Sequence, residues 1–210
     1  MRVVTVCLAL AAIPAFGGGR VVGNAPVTLY TEFQQAPPDS VLDAIQDELE
    51  QIMSPAGLHF AWHPLSDAGG RVSAQLAVVH FKGQCNAEGL RPDWGYPGPL
   101  GWTHISDGEI LPFIDVNCEG VRIFVQHDLL GVPEESREAV FGRALGRVLA
   151  HELYHLLANT KAHARSGIAK AYYNAEELLS KTLHFGPKEC ESLRAKTARL
   201  AFEPPVGEGQ

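Results

Sequence analysis

The chain has 210 residues, of which 46% are hydrophobic and 20% charged, so it can bury one sizeable core and lacks the low hydrophobicity and high charge of a disordered chain. A formal net charge of −7 and the absence of any Lys/Arg run exclude a general nucleic-acid binder and disfavour an anionic membrane surface as partner. One domain over residues 20–203 is the expectation, with a frayed tail at 204–210.

Met1-Arg2, the apolar stretch Val3 to Phe16 and Gly17-Gly18-Gly19 read as the three regions of a secretory signal over residues 1–19. The apolar run is shorter than a bilayer span and Pro14 interrupts it, so no stable membrane insertion is expected after cleavage, and the mature chain is expected outside the cytoplasm.

Val27 to Tyr30 suits a first strand. Ser40 followed by Val41, Leu42, Ile45, Leu49, Ile52 and Met53 predicts an amphipathic helix capped by Ser40 and stopped at Ser54-Pro55-Ala56-Gly57. Alternation at Leu58, Phe60 and Trp62, the run Leu76 to Phe81, and alternation at Val121, Ile123 and Val125 predict three further strands. Asp93 to Gly101, with Pro97 and Pro99, reads as a loop. Leu100 to Ser106 and Glu109 to Phe113 flank Asp107-Gly108, which suits a type I′ turn, so a hairpin is expected there. From Pro133 to about Asn159 the spacing of Phe141, Leu145, Val148, Leu149, Leu153 and Leu156 predicts a long helix. Two shorter helices follow, opened by Asn174 and Pro187.

Past the leader three cysteines remain, which in an oxidising compartment suggests one disulfide and one spare thiol. Cys190 falls in a predicted C-terminal helix and the other two between sheet elements, so the expected bridge is Cys85 to Cys118. A latency role for either, as a thiolate on a metal, is the lesser use.

The chemistry lies in His151-Glu152-Leu153-Tyr154-His155, near the end of the long helix. Side chains four apart share a helical face, so two imidazoles can reach one tetrahedral zinc ion (Zn2+) with Glu152 beside its water as general base. His151 and His155 also continue the inward series Ala144 and Val148, and two histidines on a buried face are costly unless satisfied. A core pair bonded to backbone is the plain structural alternative. His59, His63, His80, His104, His127 and His184 have no metal spacing.

With His163 and the Ser166-Gly167-Ile168 turn, this segment resembles the zincin superfamily of zinc metallopeptidases, most nearly its metzincin-like branch. The resemblance implies an α+β fold: a mixed β-sheet whose edge strand borders the cleft, an active-site helix carrying the HExxH motif, and a small helical C-terminal part. It implies His163 as third zinc ligand, although Ala158 and Lys161 stand where the branch has glycine and its third histidine, and Ala169 where its turn has methionine. Asn159 then supplies the positive-φ exit from the helix. Glu176 and Glu177 compete as third ligand by analogy with another branch, but Asn174 and Glu177 form a capping-box pattern that explains them otherwise. Tyr172 or Tyr173 is the candidate donor to the tetrahedral oxyanion, with packing the alternative. The function expected is secreted zinc-dependent hydrolysis of protein or peptide substrates. The alternative is a zinc-bearing extracellular binding module without catalysis.

Overall fold

A computed structural model describes residues 26–69, 73, 75–92 and 98–202, so the expected leader, the tail and part of the 93–101 loop lie outside the described residues. The strands are β1 (Val27–Phe33), β2 (Phe60–Pro64), β3 (Leu76–Lys82), β4 (Gly101–Ser106) and β5 (Glu109–Asn117). The helices are α1 (Asp39–Met53), α2 (Cys118–Leu129), α3 (Glu134–Leu157), α4 (Ala175–Leu179) and α5 (Pro187–Phe202). Together they make an α+β fold with a mixed five-stranded sheet in the order β2-β1-β3-β5-β4. All neighbours run parallel except β4, an edge strand antiparallel to β5.

Burial along β3 follows the pleat: Ala77, Val79 and Phe81 are buried, while His80 is partly open and Lys82 exposed. The covered face joins Leu29, Ile114 and Val116 to Ile45 and Leu49 of α1 and Leu145 and Leu149 of α3 in one core. Helices α1 and α3 approach closely because α3 carries glycines where they meet. A Cβ on Gly142 would stand 2.6 Å from the Val41 carbonyl oxygen, and one on Gly146 2.9 Å from that of Ile45. On the other face the buried Asp115 carboxylate accepts from Lys82 Nζ and lies against His104 Nε2, each at 2.8 Å. Burial alone would raise the Asp115 pKa, but these hydrogen bonds and charges outweigh it and hold the carboxyl below its ordinary range.

The hairpin forms with its turn at Asp107 (φ 51°) and Gly108 (φ 86°), both left-handed as a type I′ turn requires. The strand expected at Val121, Ile123 and Val125 is instead part of α2. Asn117 caps that helix by accepting from the Gly120 amide, and Cys118, Val121, Val125 and Leu129 form one buried stripe at helical spacing. Ser40 is not an N-cap: α1 starts at Asp39 after Pro38, and the Ser40 hydroxyl instead donates to Glu138 on α3. Gly57, at φ 77°, ends the short 3-10 turn after α1, at the expected stop.

Cys85 and Cys118 are bridged and Cys190 is free, in the expected pairing, though Cys118 opens α2 rather than sitting in a loop. Such a bridge accords with an oxidising compartment. Among the described residues no helix is long and apolar enough to cross a membrane.

Candidate metal centre

In the last two turns of helix α3, His151, Glu152 and His155 are buried, at 8%, 6% and 9% exposure. Each imidazole is anchored on one side by a backbone carbonyl from the chain that follows. His151 Nδ1 donates to the Ile168 oxygen at 2.7 Å and His155 Nδ1 to the Thr160 oxygen at 2.8 Å. These bonds assign the tautomers. Burial pushes the His151 pKa down to about 4, and burial likewise lowers that of His155, so both rings are neutral near pH 7 with one proton each. Both protons are spent on Nδ1. The two Nε2 atoms, 3.1 Å apart, therefore face each other with lone pairs and no hydrogen between them.

Two lone pairs at that distance repel unless a cation lies between them. Nitrogen ligands about 2.0–2.1 Å from a tetrahedral zinc stand about 3.3 Å apart, close to the observed spacing. The exposed His163 joins the pair, and one ligand atom from each of the three histidines lies within 4.8 Å of the others. Among the described residues this is the one such group of three or more His, Cys, Asp or Glu side chains. The three histidines could thus hold a metal ion between them, for which His163 would have to move inwards.

The chain leaves α3 through Asn159 at φ 46°, the expected positive-φ exit, and reverses under the helix. The Thr160 amide bonds the His155 carbonyl at 3.0 Å, and the Ala164 amide bonds the Ala169 carbonyl at 2.7 Å. Gly167, at φ 72°, makes the turn that delivers the Ile168 carbonyl to His151, and a Cβ there would stand 2.4 Å from the His184 oxygen.

Glu152 faces the edge strand. Its Oε2 accepts from the Thr103 hydroxyl at 2.8 Å, and the same hydroxyl is 3.0 Å from the Glu152 main-chain oxygen. Burial, opposed in part by the Thr103 bonds, raises the Glu152 pKa to about 7. Strand β4 comes this close because residue 101 is glycine: a Cβ there would lie 2.8 Å from Val148 Cγ1 and 3.1 Å from Glu152 Cγ. Sequence reasoning missed Thr103 and Gly101. No local pattern marks them, since their roles exist only once β4 lies against α3.

The two tyrosines part company. The Tyr173 hydroxyl donates to the Ile168 carbonyl and lies 3.0 Å from His151 Nδ1, so it braces the anchored side of that ring. Burial raises its pKa above the ordinary value. Tyr172 is 86% exposed. Glu177 completes the capping box with Asn174 and pairs with Lys170, and neither it nor Glu176 belongs to the histidine group.

These groups open into a cavity of about 510 Å³. Its lining includes the apolar Leu100, Ile105, Ile110, Phe124 and Val148 as well as Lys161 and Tyr172. Comparison of the chain with protein-family models, with curated proteins and with solved structures returns no match.

Proposed function

We propose that this chain is a zinc-dependent metalloendopeptidase of zincin type, with His151, His155 and His163 holding the ion and Glu152 as general base. The observation that carries the reading is the pair of neutral imidazoles presenting bare Nε2 atoms to each other at 3.1 Å, with a buried carboxylate next to them on the cleft. Held by the three histidines, zinc supplies the positive charge that acidifies a water and polarises a scissile carbonyl.

The chain's own residues do the rest. Glu152, whose pKa of about 7 suits it to both halves of the task, takes a proton from water in the cleft and returns it to the departing amine nitrogen. Thr103 orients that carboxylate by its 2.8 Å hydrogen bond. Tyr172, exposed on the cleft, would donate to a developing oxyanion, whereas Tyr173 acts through His151 as a positioning residue. Strand β4 lies at the sheet edge and lines the cleft, so an extended peptide can add alongside it. The disulfide supports an extracytoplasmic site of action. A binding module would have no use for a buried, proton-accepting carboxylate beside the metal ligands.

The test is Glu152→Gln assayed on denatured protein substrates with zinc present. Peptide hydrolysis should fall by about 10²–10⁴-fold while zinc content is retained, because an amide cannot take the proton. Undiminished hydrolysis would assign the base elsewhere.

A further inference from the structure

Two charged side chains other than the histidines line the cleft among the described residues: Glu152, already assigned, and Lys161. Lys161 is exposed, and no carboxylate of the described residues pairs with it, in contrast to Lys82 and Lys170, which are held by Asp115 and Glu177. Its backbone is fixed. Thr160 is bonded to His155 twice, through its amide at 3.0 Å and its carbonyl at 2.8 Å, and the Ala162 amide bonds Thr160 Oγ1 at 3.1 Å. A cation thus projects on a flexible four-carbon stem from a pinned loop, between one metal-ligand anchor at Thr160 and the next ligand at His163.

We infer that Lys161 reads a carboxylate on the substrate, so that the cleft selects peptides bearing an acidic group within a residue or so of the bond presented to Glu152. The inference rests on the peptidase reading of the same site. The chain as a whole carries a net charge of −7, so an acidic peptide is repelled by the general surface and gains attraction where Lys161 stands. The apolar lining residues offer no competing charge, and ordering a loop in advance removes part of the cost of binding. The carboxylate has two sources, an Asp or Glu side chain or the free end of a chain, and both present the same group to an ammonium.

Short fluorescein-labelled peptides that carry Glu, Gln or Lys at successive positions, each with a free or an amidated C-terminus, separate the sources. Their binding to the full zinc-incubated chain is read by anisotropy, and cleavage is scored separately by mass spectrometry. A carboxylate at the matching place should tighten binding by about threefold to fivefold, the range of a solvent-accessible ion pair, and added salt should erase the gain. Lys161→Met should abolish the preference and Lys161→Glu should transfer it to the Lys-containing peptide, with unchanged melting temperature because the side chain is exposed.

Equal binding of all wild-type pairs, or a preference that survives Lys161→Met, overturns the assignment even if peptides are cut. Preferential binding lost in Lys161→Met without any cleavage upholds the role of Lys161 and overturns the peptidase reading. Failure of every peptide to bind overturns both.

Discussion

Arg147 and His151 stand one helical turn apart on α3 and are both buried, at 1% and 8% exposure, yet the protein treats them differently. Arg147 is held by partners inside the protein: Nε bonds Glu48 Oε1 at 2.6 Å, and one terminal nitrogen reaches the Leu178 carbonyl at 2.9 Å, the Glu177 carbonyl at 3.2 Å and Ser180 Oγ at 3.4 Å. His151 is satisfied on one side alone, with Nδ1 anchored and Nε2 turned to another lone pair. A buried polar group whose partners are all internal ties elements together, here α1, α3 and α4. One whose free atom faces a cleft awaits something from outside. Burial by itself does not tell the two apart; the accounting of donors and acceptors does.

The largest effect that can break this comparison is on the Arg147 side. Arg147→Ala should cost about 3–5 kcal/mol of stability in urea denaturation, since it leaves the buried Glu48 with the more distant Arg143, at 3.9 Å, in place of a 2.6 Å partner. Replacing both partners by apolar residues of similar volume should recover much of that loss. If Arg147→Ala is tolerated at under about 1 kcal/mol, the pair is not the structural tie described.

The cleft side should show itself in pH dependence of the metal-free chain. His151 titrates at about 4 folded against an ordinary 6.5, so between those values the unfolded chain binds more protons and stability rises with pH. Glu152 titrates at about 7 against an ordinary 4.5, so in its window the folded chain binds more protons, and that contribution is lost as pH rises through about 7. The two slopes oppose each other, and the lowered pKa of His155 adds to the rising one, so wild-type stability with chelator present should rise only gently from about pH 4.5 to 6.5. Glu152→Gln removes the opposing slope, so stability should then climb by about 3 kcal/mol from pH 4 to 6.5. Denaturant melts across that range decide it; a profile in the variant no steeper than that of the wild type contradicts the assignment.

Where the sequence was legible, a short-range rule was at work. Asp107-Gly108 set a turn by its own φ angles, Asn174 and Glu177 capped a helix three residues apart, and His151 and His155 shared a face at spacing four. Val121, Ile123 and Val125 misled because five residues of alternation fit a strand as well as a helix. The deciding facts were the Asn117 cap and the burial of Cys118 and Leu129 at the ends of a longer window. Ser40 misled because its hydroxyl found Glu138, ninety-eight residues away, in place of the local amide a cap requires. The partners of the histidine cluster were hidden for the same reason. Thr103 meets Glu152 across 49 residues, and the sheet order that brings β4 to α3 has no signature at residue 103.

The smallest effect separates the competing third ligands. Glu177→Ala should cost about 1 kcal/mol through loss of the capping box and leave zinc affinity unchanged, and Glu176→Ala should alter neither. Thermal melts with and without zinc read both quantities. Loss of zinc binding in the Glu177 variant would move the third ligand from His163 to α4.

The claim on which the rest depends is that the facing Nε2 atoms of His151 and His155, with His163, form a metal site. Calorimetric titration of zinc into the chelator-stripped chain tests it directly. About one ion per chain should bind, with binding lost in His155→Ala and severely weakened in His163→Ala. A wild-type chain that remains folded and takes up no zinc would contradict the account.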